Sequence, residues 1–137
     1  MTEIAFHFNI GHSAADKLHY ACRLMRKAVA AGARIMVVAD SAKAGQLDRL
    51  LWTFSPLEFI PHCVLGAPSV TQHMVGVSPV ILSQEAPDYP HQEVMLSLLD
   101  GLPTGFEAFR RVIEIVSQED PDRLQARSRW KRYTELG

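Results

Sequence analysis

The chain has 137 residues, 47% of them apolar and 21% charged, with a formal net charge of -1 at pH 7. That length and balance describe one ordered domain, residues 1–137, able to bury a continuous core without staples. They exclude an intrinsically disordered chain and a protein coated in positive charge for wrapping nucleic acid.

Ile4-Ala5-Phe6-His7-Phe8 is a short strand-forming run, closed by Asn9 and Gly11. Ser13 with Asp16 three residues later resembles a capping box. Behind it Leu18, Cys22, Met25 and Val29 keep helical spacing, and Gly32 suits the helix end. Arg34-Ile35-Met36-Val37-Val38-Ala39 is almost wholly apolar, as a parallel strand covered on both faces should be. Asp40-Ser41 opens a second helix carrying Leu47, Leu50 and Leu51, which must end before Pro56.

The middle is richer in turn residues, from Phe59-Ile60-Pro61-His62 through Gly66 to Gly76. Val80-Ile81-Leu82 reads as a strand, 85–90 as a loop with two prolines, and Val94 to Leu99 as a buried strand stopped by Asp100-Gly101. Phe106, Phe109, Val112, Ile113 and Val116 give the next segment the core face of a helix. A last helix starts at Asp120-Pro121, with the proline in its first turn. The order predicts a single α/β domain with a mainly parallel central sheet flanked by helices, and right-handed crossovers.

Little in this chain reads as catalytic machinery. The first turn, Asn9-Ile10-Gly11-His12-Ser13, has one glycine, short of a dinucleotide fingerprint or a P-loop. Asp40 and Asp100, at strand ends, suit capping and turn roles. His19 and Cys22 lie three apart on one helix and His62-Cys63 are adjacent, but no close-spaced cysteine pair exists for zinc. Cys22 falls on a core stripe, as a buried thiol would. His7, His73 and His91 stand beside no evident nucleophile, and Ser13, Ser41 and Ser83 lack a hydrolase elbow. The expectation is a non-enzymatic protein without metal or cofactor.

Two cysteines make no disulfide framework and suit a reducing compartment. Met1-Thr2-Glu3-Ile4 puts no basic region ahead of an apolar stretch, and no run approaches the roughly 20 residues of a membrane span. A cytoplasmic location with no membrane contact is expected.

Two clusters remain. Trp52, Phe54, Phe59, Pro61 and His62 gather large rings around a helix end and a loop, either folded into the core or forming a docking face. In the last helix Arg123, Arg127, Trp130 and Lys131 share a face, beside Arg129, Arg132 and Tyr133. Guanidinium forks around an apolar ring suit a ligand with both anionic groups and a greasy end, such as a peptide tail or a nucleic-acid strand. A solvated basic helix end favoured by the macrodipole is the alternative.

At these clusters the sequence resembles the chi subunits of the bacterial DNA polymerase III clamp loader. The resemblance lies in Leu47-Asp48-Arg49-Leu50-Leu51-Trp52 followed by Phe59-Ile60-Pro61-His62, and in Leu99 to Pro103. It lies also in Ala126-Arg127-Ser128-Arg129-Trp130-Lys131-Arg132-Tyr133, similar to that family's Ala-Arg-x-Arg-Tyr-Lys-x-Tyr ending. The resemblance implies a Rossmann-like, non-catalytic replisome adaptor, any polymerase activity belonging to the holoenzyme it joins. One surface would bind the acidic, phenylalanine-ended tail of the single-stranded-DNA-binding protein through Val116, Arg123, Arg127, Trp130 and Lys131. Another, at Trp52 and Phe59, would bind the psi subunit or a repair helicase. Contact with DNA would be indirect. Direct binding of single-stranded nucleic acid by the basic-aromatic patch, with Trp130 stacking a base, is the competing expectation.

Overall fold

A computed structural model describes residues 2–8, 10–11, 13–53, 62–64, 80–83, 93–99, 103 and 105–136, with side chains except at 14, 41, 52–53 and 62–64. Its strands are β1 (Glu3–His7), β2 (Ile35–Val38), β3 (His62–Val64), β4 (Val80–Ser83), β5 (Val94–Ser97) and β6 (Arg111–Ile115). They form one sheet in the order β1-β6-β5-β2-β4-β3. Every pairing among these strands is parallel, with Glu3 opposite Arg111 and Ile35 between Val80 and Val94. The helices are α1 (Ala14–Ala30), α2 (Ser41–Thr53) and α3 (Asp120–Leu136), with a 3-10 turn at Phe106–Ala108.

The alternation of side chains along each strand divides the interior into two cores. Ile35, Val37, Val80, Leu82, Leu96, Ile113 and Ile115 pack with Leu18, Cys22 and Met25 of α1 and Leu47 and Leu51 of α2. On the other face Met36, Val38, Ile81, Met95 and Val112 pack with Phe106, Phe109 and Tyr133. Both faces of the central strands are therefore dry, which explains their nearly unbroken apolar sequences. Cys22 is fully buried in the first core, as its stripe position implies, and burial pushes its thiol up to about 11 against the opposing pull of Arg23.

Local signals place the helices as expected. The Ser13 hydroxyl accepts from the Asp16 amide at 3.3 Å, and the Asp40 carboxylate accepts from the Lys43 amide at 2.9 Å. After α1, Gly32 takes the left-handed conformation (φ 84°), so that its amide reaches Val29 and that of Ala33 reaches Ala28.

Two expectations are corrected. The predicted helix spanning Phe106 to Val116 is instead a 3-10 turn followed by β6, wedged between β1 and β5. Phe106, Phe109, Val112, Ile113 and Val116 do fit a helical stripe. A strand dry on both faces is apolar at consecutive positions, however, and so also contains such a stripe. The β-branched run Val112-Ile113-Glu114-Ile115-Val116 favours the strand. The second correction is at His62, read as part of a turn-rich segment, where the edge strand β3 begins.

Candidate functional site

The site begins with what fastens α3 to the sheet. Ala126, Arg129 and Tyr133, spaced three and four apart, are the buried face of this helix. Tyr133 enters the second core, edge-on to Phe106 (centroids 5.0 Å apart) and to Phe6 (6.0 Å). Its hydroxyl donates to Glu114 Oε2 at 2.7 Å, and Arg129 Nε lies 3.3 Å from Glu114 Oε1. Glu114 of β6 is only 1% exposed and Arg129 only 4%, so this is a buried ionic cluster. Arg129 and Tyr133, counted in sequence as neighbours of the cationic patch, thus belong to the interior.

The helix start is anchored separately. The Asp122 carboxylate accepts from the Ser117 amide at 2.8 Å and from Lys17 Nζ of α1 at 3.1 Å. Burial alone would raise its pKa, but the Ser117 amide and the Lys17 ammonium outweigh that and hold it below the ordinary carboxylate range.

With that face turned inward, helix geometry puts Trp130, Arg123, Arg127 and Lys131 within an arc of about 100° on one exposed flank. Where this flank meets the β1 and β6 ends lies an open recess of about 330 Å³. Its lining is Phe8, Val116, Ser117, Arg123 and Arg127. The structure therefore brings Val116, Arg123 and Arg127 together around one hollow. Trp130, 59% exposed, and Lys131 lie further along the same flank and do not line it.

The recess has the chemistry of a mixed ligand. Val116 supplies an apolar floor, Phe8 a 59% exposed ring, and the two arginines supply cationic forks. Arg123 touches Asp120 only at 4.0 Å, between exposed groups, and among the described residues Arg127 has no ion-pair partner. Arg123, Arg127 and Lys131 follow each other at intervals of four, an arrangement that costs a helix a few tenths of a kcal/mol per like-charged pair. Arg123 is also in the first turn, where the macrodipole disfavours a cation. The dipole thus does not account for Arg123, and the last turn of the helix carries no basic residue for it to favour.

Phe8 is the residue that sequence reasoning missed. In the sequence it closes the first strand-forming run, and the signal is parity: Ile4, Phe6 and Phe8 share one face, but only the first two are covered by the core.

The other candidates separate. Asp40 caps α2 as expected, while Asn9 and Asp100 lie outside the described residues. His19 is exposed and Cys22 buried, and no group of three or more His, Cys, Asp or Glu side chains is placed to hold a metal among the described residues. His7 packs edge-on to Tyr20 and hydrogen-bonds its hydroxyl; burial and the nearby Arg111 keep its pKa below the usual value. Trp52 falls in the last turn of α2, but its side chain, and all of Phe59, lie outside the described residues. No described helix is long and apolar enough to cross a membrane.

Comparison with known proteins is consistent along the whole length. A family model described as DNA polymerase III chi subunit, HolC, matches residues 1–137. The chain is 30% identical to DNA polymerase III subunit chi of Pseudomonas aeruginosa over 138 positions, covering 100% of this chain and 92% of that protein. It is 27% identical to the Haemophilus influenzae subunit over 112 positions (81% and 75%). With that of Escherichia coli K12 it shares 26% over 129 positions (93% and 83%).

Proposed function

The chain belongs to the DNA polymerase III chi subunit family, replication accessory subunits, and from that premise we propose that it is a non-catalytic adaptor of the replisome. Its task is to hold the acidic C-terminal tail of the single-stranded-DNA-binding protein and to link it to the clamp loader through psi or a similar partner. The observation that carries this is the recess in which Arg123 and Arg127 flank Val116 and Phe8. The tail's carboxylates pair with the arginines, with Lys131 adding long-range attraction, and its terminal ring enters the apolar hollow. Trp130 offers a further apolar surface along the path of the tail. Contact with DNA is then indirect, through the protein whose tail is held.

The test is a titration with a labelled acidic, phenylalanine-ended peptide. The wild type is expected to bind with micromolar affinity, about -8 kcal/mol, and more weakly as salt rises. Arg127→Ala is expected to weaken binding at least tenfold, about 1.4 kcal/mol, because it removes a charge-assisted contact without touching the core. Equal binding by both proteins defeats the assignment. Tight binding of an oligonucleotide that the peptide does not displace would favour a nucleic-acid module instead.

The second partner is assigned to the Trp52–Phe59 region, supported by the resemblance of the segment 47–62 to the family pattern. Trp52→Ala is expected to leave the unfolding free energy within about 0.5 kcal/mol while abolishing capture of psi or its equivalent. A loss of about 3–5 kcal/mol would instead mark Trp52 as a core residue.

A further inference from the structure

Phe8 lies where a core residue should not be. Ile4, Phe6 and Phe8 point to the α3 side of the sheet, and the first two pack against the second core. Phe8 runs past the strand end and remains 59% exposed. Its ring is nevertheless held: it stacks on Phe6 with centroids 5.9 Å apart and planes 17° apart. Phe6 leans edge-on against Tyr133, and Tyr133 is fastened by Glu114 and Phe106. An aromatic ladder thus runs from the buried ionic cluster to the rim of the recess. One free ring face stands there beside Arg123, Arg127 and Val116.

A fixed aromatic face binds another ring with little loss of side-chain freedom, since its own rotamer is already chosen. Arg123 and Arg127, on the helix side, offer charge-assisted contacts to carboxylates, which a phenylalanine-ended and an alanine-ended ligand both carry. Resting on the tail-binding reading above, we infer that Phe8 is the specificity-determining residue of the recess. It selects a ligand whose last residue is aromatic by offering that ring a stacking partner.

A double-mutant cycle tests this, using wild type, Phe8→Ala and Phe8→Leu against two acidic peptides that differ only in ending with phenylalanine or alanine. Phe8→Ala is expected to bind the phenylalanine-ended peptide about three- to tenfold more weakly than wild type. The alanine-ended peptide should bind wild type and Phe8→Ala equally. Phe8→Leu, which keeps an apolar surface but not a ring face, should fall between them. Because Phe8 is exposed, the unfolding midpoints of the three proteins should coincide. The inference is overturned if Phe8→Ala retains wild-type affinity for the phenylalanine-ended peptide, or weakens both peptides equally. Failure of the wild type to bind either peptide would overturn the tail-binding reading itself, which separates the two failures.

Discussion

Arg129→Met is expected to cost about 3–5 kcal/mol of unfolding free energy, while Arg132→Met, three residues on, should stay within about 0.5 kcal/mol. The two arginines belong to one short basic run but face different surroundings. Arg132 is exposed, whereas Arg129 lies beside Glu114 in the interior. Removing the guanidinium leaves the buried Glu114 carboxyl without its cationic neighbour, beside the Tyr133 hydroxyl that donates to it. Chemical denaturation of both variants against wild type measures the contrast. Similar small losses would mean that the cluster does not hold α3.

The same pair carries a pH signature. Burial pushes the Glu114 carboxyl up from 4.5 to about 7, with Arg129 and the Tyr133 hydroxyl pulling the other way. A carboxyl raised on folding binds more protons folded than unfolded. Its contribution is therefore complete below pH 4.5 and is lost as pH rises through about 7. Without the Arg129 charge the carboxyl moves higher still. The Arg129→Met deficit should accordingly be smallest in mild acid and grow through neutrality, and a flat deficit across that window would contradict the assignment.

Ile115→Ala is expected to cost about 2–5 kcal/mol, and it decides between two conformations of one segment. On a helix with Phe106, Phe109, Val112, Ile113 and Val116 inward, Ile115 would sit about 125° from the centre of the buried face. There its truncation would cost little. In β6 its side chain is 2% exposed, packed in the core formed with α1 and α2. Glu114, on the opposite face of the strand, meets Arg129 and Tyr133 of α3 instead. Equilibrium unfolding of Ile115→Ala reads the difference directly, and a loss below about 0.5 kcal/mol would restore the helix.

That segment shows where pattern reasoning fails. A stripe at intervals of three and four is diagnostic only when the positions between are polar. Here Ile115 is apolar and Glu114 is polar but buried, so the run carries both periods. Its β-branched residues were the better guide, because they describe the local chain rather than its surroundings. The candidate site was partly legible for a related reason. Arg123, Arg127, Trp130 and Lys131 were placed on one flank by helix geometry alone, and the structure keeps them there. The inward turn of Arg129 was hidden because Ala126 and Tyr133 are the only apolar marks of the buried face within the closing segment 126–133.

From the residues alone came the α/β class, the strands at 34–39, 80–82 and 94–99 (35–38, 80–83 and 94–97 in the structure), the caps Ser13 and Asp40, and the basic flank of the last helix. Each depends on neighbours within about one turn or one strand, where sterics, capping and periodicity act. Tertiary structure alone decided that β6 inserts between β1 and β5, that Glu114 and Arg129 meet under α3, and that Phe8 reaches the recess beside Val116, Arg123 and Arg127. Those contacts join positions as far apart in the chain as Phe8 and Arg127. Only the burial of two sheet faces, a property of the whole chain, selects them.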